Sequence, residues 1–356
     1  MTTTTVPRTQ DLSEGALGMA LLDIERRDLS TARRHLTQAT AQGVSTGSNA
    51  SLFHGAPALE FVLARAHAAD DDIRAAVDRV VDARLAAAHH RQTAGALPHL
   101  AEWDHIRGMT GLAALLLSRR PLAPRLPDML TCLVALAHPL HGDVRTLPGW
   151  WSATGPDGRP MAGGHGNNGM AHGIAGPLAV LSLALREGVS VPGQEEAVGT
   201  FATWLDRYGA HYWSTAAHLD AEQPPEAEPA RQSWCYGQPG IARAQQLAAL
   251  ALGDPVRRRA AEDTVAAILT DPLCLARITD STLCHGWAGL LTLTRAVAAD
   301  SPAPDRFTPI INDLHRRLAA DWERLPKPGF MEGRAGAQLA LNATDNTGWT
   351  RVLLLT

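Results

Sequence analysis

Apolar residues gather in runs that a glycine opens seven times: at Gly15, Gly55, Gly108, Gly173, Gly237, Gly286 and Gly333. Six of these runs carry a second glycine three positions on, and the second run has Ala58 there. The runs are apolar on every side, a pattern that predicts helices buried all round. Between them lie segments 29–42, 71–90, 125–138, 194–208, 255–270 and 305–324, where charges interrupt a single apolar stripe of helical period. These predict outer helices with one face toward the core. Glycine inside a helix costs about 1 kcal/mol relative to alanine, so its recurrence implies a geometric need. Close approach of a neighbouring backbone, or positive φ in the entering loop, would supply that need.

Buried helices alternating with striped ones predict an all-α fold, an α/α toroid of seven inner helices ringed by six or seven outer ones. A linear solenoid would leave the inner helices open on one side. The pattern yields only six outer helices, because the residues before Asp11 are too few for a seventh. Either the ring has a gap there or the tail from Asn342 covers it. Residues 1–10 are expected to be a disordered N-terminal segment and 11–356 one toroid domain. Two long connections, 142–168 and 210–233, stand out, since long loops within a compact domain are often functional.

Composition narrows the class. The 356 residues carry 32 Lys+Arg against 36 Asp+Glu, a net charge of -4, with no basic stripe. Nucleic acid is therefore not an expected partner. The Thr-rich start lacks the apolar core of a signal peptide. No apolar run is long enough for a transmembrane segment. Four cysteines in so long a chain make no disulfide framework, so the expected setting is the cytoplasm, with thiols reduced.

Candidate chemistry follows from the phase of the repeats. Cys235 and Cys284 each lie two residues before an opening glycine. His285 and His172 lie one before, Asp104 four before and Arg231 six before. If each glycine opens an inner helix, all six side chains share one mouth of the ring. Two thiols and an imidazole suit catalytic zinc, which keeps three protein ligands and an open fourth position. Each residue also has an ordinary reading. Free cysteines are commonly buried and inert, and Cys132 and Cys274, out of phase, are left with that reading. His172 and Asp104 could cap helices. Arg231 could pair with the acidic run before it.

Taken together, the motifs Asp104-His-Ile-Arg-Gly108, Asn168-Gly-Met-Ala-His172-Gly173, Arg231-x-x-x-Cys235-Tyr236-Gly237 and Cys284-His285-Gly286 resemble those of lanthionine synthetase C-like cyclases. The resemblance spans nearly the whole chain through the seven glycine steps. It implies zinc held by Cys235, Cys284 and His285. It also implies acid/base or orienting roles for His172 and Asp104, with Arg231 and Tyr236 lining the pocket. The implied reaction is addition of a peptide cysteine thiol to a dehydroalanine or dehydrobutyrine of the same peptide, closing a thioether ring. The implied partners are a dehydrated precursor peptide with its leader and a cognate dehydratase. Alternatives are a relative that adds glutathione to dehydroamino acids, a non-catalytic zinc- and peptide-binding scaffold, and a toroid glycosidase using Asp104 and Glu332.

Overall fold

The computed structural model describes residues 9–141, 145–342 and 348–356. Inner helices are α1 (Ala16–Glu25), α3 (Ala56–Arg65), α5 (Met109–Ser118), α7 (Ala175–Arg186), α9 (Gln238–Leu252), α11 (Trp287–Ala299) and α13 (Arg334–Asn342). Outer helices are α2 (Leu29–Thr40), α4 (Asp71–Thr93), α6 (Leu126–Val134), α8 (Gln194–Tyr208), α10 (Pro255–Ile268) and α12 (Thr308–Asp321). The two kinds are built as the sequence predicts. Every residue of α5 from Met109 to Leu117 is buried. On α4 only a stripe is buried, including Val77, Val80, Val81 and Leu85. Asp70 caps α4 by accepting from the Ile73 amide, and Asp71 and Asp72 sit at its positive end.

Each inner helix packs on the next, and α13 packs on α1, so the ring closes. The glycines explain how. At the six second glycines an added Cβ would meet, within 3 Å, the carbonyl oxygen of the residue six positions earlier. The entering loop therefore folds back onto the first turn of its own helix and leaves no room for a side chain. Positive φ matters at fewer places: of the seven opening glycines, Gly55 and Gly237 use it, at 71° and 110°.

The folded-back loops are joined to one another. His105 N donates to Ala171 O, Ala171 N to Cys235 O, and Cys235 N to Cys284 O. Cys284 N donates to Met331 O, Met331 N to Ser13 O, and Leu12 N to Phe53 O, all at 2.8–3.3 Å. The Phe53 and His105 rings meet edge to face across the remaining step. A girdle of main-chain hydrogen bonds thus runs around one mouth of the ring. Its members lie two residues before the opening glycine, except His105, which lies three before, and Leu12 beside Ser13.

The C-terminal segment answers the question of the missing outer helix differently from either expectation. It neither leaves the ring open nor covers it from outside. Val352, Leu353, Leu354 and Leu355 are fully buried. His105 Nε2 donates to Val352 O at 2.7 Å and Trp234 Nε1 to Leu353 O at 2.9 Å. Arg243 of α9 donates to Leu355 O, and Trp349 packs edge to face on Phe330. Partners from repeats so far apart meet only inside the ring, so the segment fills its interior. No seventh outer helix is present among the described residues.

The long connections depart from the all-helical expectation. Ser152–Thr154 pairs antiparallel with Pro160–Asn167, which pairs in turn with Trp213–Ser214. A smaller pair joins Leu140–His141 to Thr146–Leu147. Of the segment expected to be disordered, residues 1–8 lie outside the described residues. Gln10 is tied down through Gly43 O and the Ser45 amide.

Candidate metal centre and its cavity

Cys235 and Cys284 occupy adjacent stations of the girdle, and their main chains share a hydrogen bond of 3.2 Å. Equal phase in consecutive repeats thereby becomes contact. His285 follows Cys284, and one ligand atom from each of the three residues lies within 4.8 Å of the others. The Cys284 thiol bonds to Cys235 sulfur, holding the Cys235 pKa well below the usual thiol value; burial opposes this, while His285 and Ser233 assist. The same bond, with burial, holds Cys284 well above it. His285 is raised by its bond to Cys235, and by Asp280, against burial. Two soft donors and an imidazole fit a zinc ion. Both sulfurs also face a cavity of about 660 Å³, which leaves access for a further ligand.

That cavity brings together most of the residues singled out in the sequence. Cys235, Cys284, His172 and Tyr236 line it, with Glu332, Arg84 and Arg107. His285 and Arg231 do not contribute to the wall. Arg231 is half-buried, its Nε has no hydrogen-bond partner, and its charge lowers the proton affinity of Cys284 and His285.

Asp104 is both cap and partner. It is 1% exposed. Its Oδ1 accepts from the amides of Arg107 and Gly108, at 2.7 and 3.0 Å. Its Oδ2 stands 2.6 Å from His172 Nδ1. With Asp104 ionised, Nδ1 carries the proton, and Nε2 is left as the nitrogen free to exchange one. Asp104 has no free oxygen for the acid of a glycosidase, and Glu332 is engaged by Lys327.

Tyr236 lies 6.4 Å from the His172 ring, roughly parallel to it. Burial holds its pKa far above the usual phenol value, so the hydroxyl keeps its proton. That oxygen accepts from Asn167 Nδ2 at 2.8 Å, which frees the O–H to donate elsewhere. Asn167 ends the strand Pro160–Asn167, and Asn168 Nδ2 clamps the next turn through Tyr208 O, His211 O and Ser214 Oγ. The small sheet thus positions the site's tyrosine.

Sequence reasoning passed over Asn167 and Asp280. A signal for the second existed: Asp280 lies six before Gly286, the phase that singled out Arg231 before Gly237. Cys132 and Cys274 are free thiols away from the site, and burial pushes Cys132 up to about 11.

A closed α/α toroid with a thiol–thiol–imidazole cluster and a histidine–carboxylate pair in one mouth defines the class of protein. A family model described as lanthionine synthetase C-like protein matches residues 6–354, and the chain belongs to that family. It is 25% identical over 204 residues to nisin biosynthesis protein NisC of Lactococcus lactis subsp. lactis. That match covers 53% of this chain and 48%, about half, of the relative's length. The solved structure of a nisin cyclase superposes with a TM-score of 0.80 at 20% identity, over 99% of this chain and 93% of that one, and shows the same fold.

Proposed function

We propose that the protein is a zinc-dependent cyclase that forms lanthionine and methyllanthionine rings in a dehydrated precursor peptide. One observation carries the reading: Cys235 and Cys284, clustered with His285, line the same cavity as His172, the partner of buried Asp104. A zinc ion on those three residues would supply the Lewis acidity that makes a substrate thiol a thiolate near neutral pH.

The remaining steps belong to the chain's own groups. The thiolate sulfur forms a bond to the β-carbon of dehydroalanine or dehydrobutyrine. The alkene electron pair moves toward the adjacent carbonyl, giving an enolate, and the α-carbon then takes a proton. The Tyr236 O–H is a donor free to meet the enolate oxygen, and Arg231 adds positive charge behind the cluster. His172 Nε2 takes up the proton that the substrate thiol loses, Asp104 stabilises the resulting imidazolium at Nδ1, and Nε2 then returns the proton to the α-carbon. The electrophile arises by loss of water from Ser or Thr, so a dehydratase acts upstream. We assign the reaction to the cytoplasm, a setting supported by four free cysteines. No helix among the described residues is long and apolar enough to cross a membrane.

The test is to incubate the zinc-loaded protein with a dehydrated, thiol-containing peptide, alkylate, and weigh the product. Ring closure adds no mass and blocks alkylation. Full alkylation with intact zinc would reduce the protein to a scaffold. Gain of the glutathione mass, with the peptide thiol still alkylated, would make it an intermolecular thiol adder.

A further inference from the structure

Asp280 is held in place by more contacts than a loop residue needs. Its Oδ1 accepts from Thr282 N at 2.8 Å and Thr282 Oγ1 at 2.7 Å. Its carbonyl accepts from Trp287 N at 3.1 Å, and Thr282 Oγ1 in turn accepts from His285 N at 3.2 Å. Gly286 is pressed against both oxygens so closely that a Cβ there would overlap them. One oxygen, Oδ2, is left over from this network, and it stands 3.2 Å from His285 Nε2.

That leftover oxygen decides which nitrogen of His285 meets the metal. A proton on Nε2 has a carboxylate oxygen within reach, so the tautomer protonated at Nε2 is favoured and the lone pair falls on Nδ1. One ring nitrogen of His285 also lies within 4.8 Å of both sulfurs. With Nε2 turned to Asp280, Nδ1 is the nitrogen left for the sulfurs. We infer that Asp280 is a positioning residue for the metal centre: it fixes His285 as an Nδ1 ligand and raises its basicity by accepting a hydrogen bond from Nε2–H. A carboxylate behind a ligating imidazole commonly accounts for a 10–100-fold difference in metal affinity. The inference rests on the zinc reading above, in that it assumes His285 is a ligand.

Asp280→Asn is the informative change, because the amide is isosteric. Its Oδ1 can still accept from Thr282, so the loop keeps its turn. Its NH₂ now faces Nε2 as a donor, which favours the proton on Nδ1 and removes the lone pair the metal needs. Zinc affinity is measured by competition with a chromophoric chelator, alongside thermal melting of the metal-free proteins. The expected result is a 10–100-fold weaker zinc affinity for Asp280→Asn, with metal-free melting unchanged. Wild-type affinity in the variant would overturn the inference. Failure of the wild type itself to bind zinc would instead overturn the functional reading. A second measurement holds even if the variant folds poorly. Imidazole ¹⁵N shifts of the zinc-loaded wild type should show Nε2 protonated and Nδ1 metallated; the reverse assignment would also overturn the inference.

Discussion

The His172–Asp104 pair permits a separation of catalysis from stability, because the two residues are fixed in different ways. His172→Ala removes a partly exposed ring with one strong bond, to a carboxylate that keeps its two amide donors. The stability cost should be about 1 kcal/mol. The catalytic cost should be far larger, since the proton exchanger between Asp104 and the cavity is gone. General acid catalysis is worth about 10²–10⁴-fold, or roughly 3–5 kcal/mol of barrier. Asp104→Ala inverts the balance in stability. It removes the side-chain acceptor of the Arg107 and Gly108 amides at the start of α5, where Gly108 keeps only its bond to the Asp104 carbonyl, at about 1–2 kcal/mol. Asp104→Asn is the discriminating control. Its Oδ1 keeps the cap, while its amide faces Nδ1 as a donor and weakens the imidazolium, so activity should fall by less than in His172→Ala. The assay follows alkylation-resistant peptide against time at constant zinc content, with melting curves beside it. Native-rate cyclisation by His172→Ala, with only a lowered melting temperature, would refute the reasoning and reduce His172 to a structural partner of the cap.

Three further outcomes are expected. Cys284→Ala should abolish stoichiometric zinc by elemental analysis, and chelator treatment of the wild type should lower its melting temperature by the linkage between binding and folding. Gly289→Ala should cost about 1–3 kcal/mol by melting, because the new Cβ displaces the Leu283 carbonyl; it should also weaken zinc binding, as Cys284 is the next residue. Burial brings the pKa of His105 down to about 4, so between that value and the unfolded value near 6.5 the unfolded chain binds the extra proton. Stability should then be complete above about pH 6.5 and fall by about 2 kcal/mol by pH 5. His105→Gln should flatten that acid limb of the melting-temperature profile, and an unchanged limb would assign it elsewhere.

Much of the ring was legible because its constraint is local and repeated. A carbonyl six residues back rests on the first turn of six of the seven inner helices, and glycine leaves it room there, so the need is written as Gly-x-x-Gly. The thiol–thiol–imidazole cluster was legible for the same reason, since equal phase places Cys235 and Cys284 at neighbouring stations. The course of the C-terminal segment was not legible. Residues 352–355 are a short apolar run, and such a run looks the same whether it lies on a ring or within it. The small sheet was hidden because its strands are short, glycine-rich and paired across a distance, as in Gly166 with Ser214. Asp280 escaped notice because an aspartate before a helix reads first as a turn or cap, and it is one here too.

The girdle of main-chain bonds has a consequence for how such a site could change. It offers a set of equivalent addresses around one opening, and the scaffold does not dictate which side chain occupies them. Thiols stand at two neighbouring addresses, while Ser13, Phe53, Ala171 and Met331 hold others. Because adjacency is fixed by backbone, new chemistry at this mouth requires exchange of side chains and no rebuilding of loops. A thiol in place of Met331 would stand beside Cys284 as Cys284 stands beside Cys235, and would bring a fourth donor toward the three residues proposed to hold zinc. An open catalytic centre and a closed structural one would then be a single residue apart on the same frame.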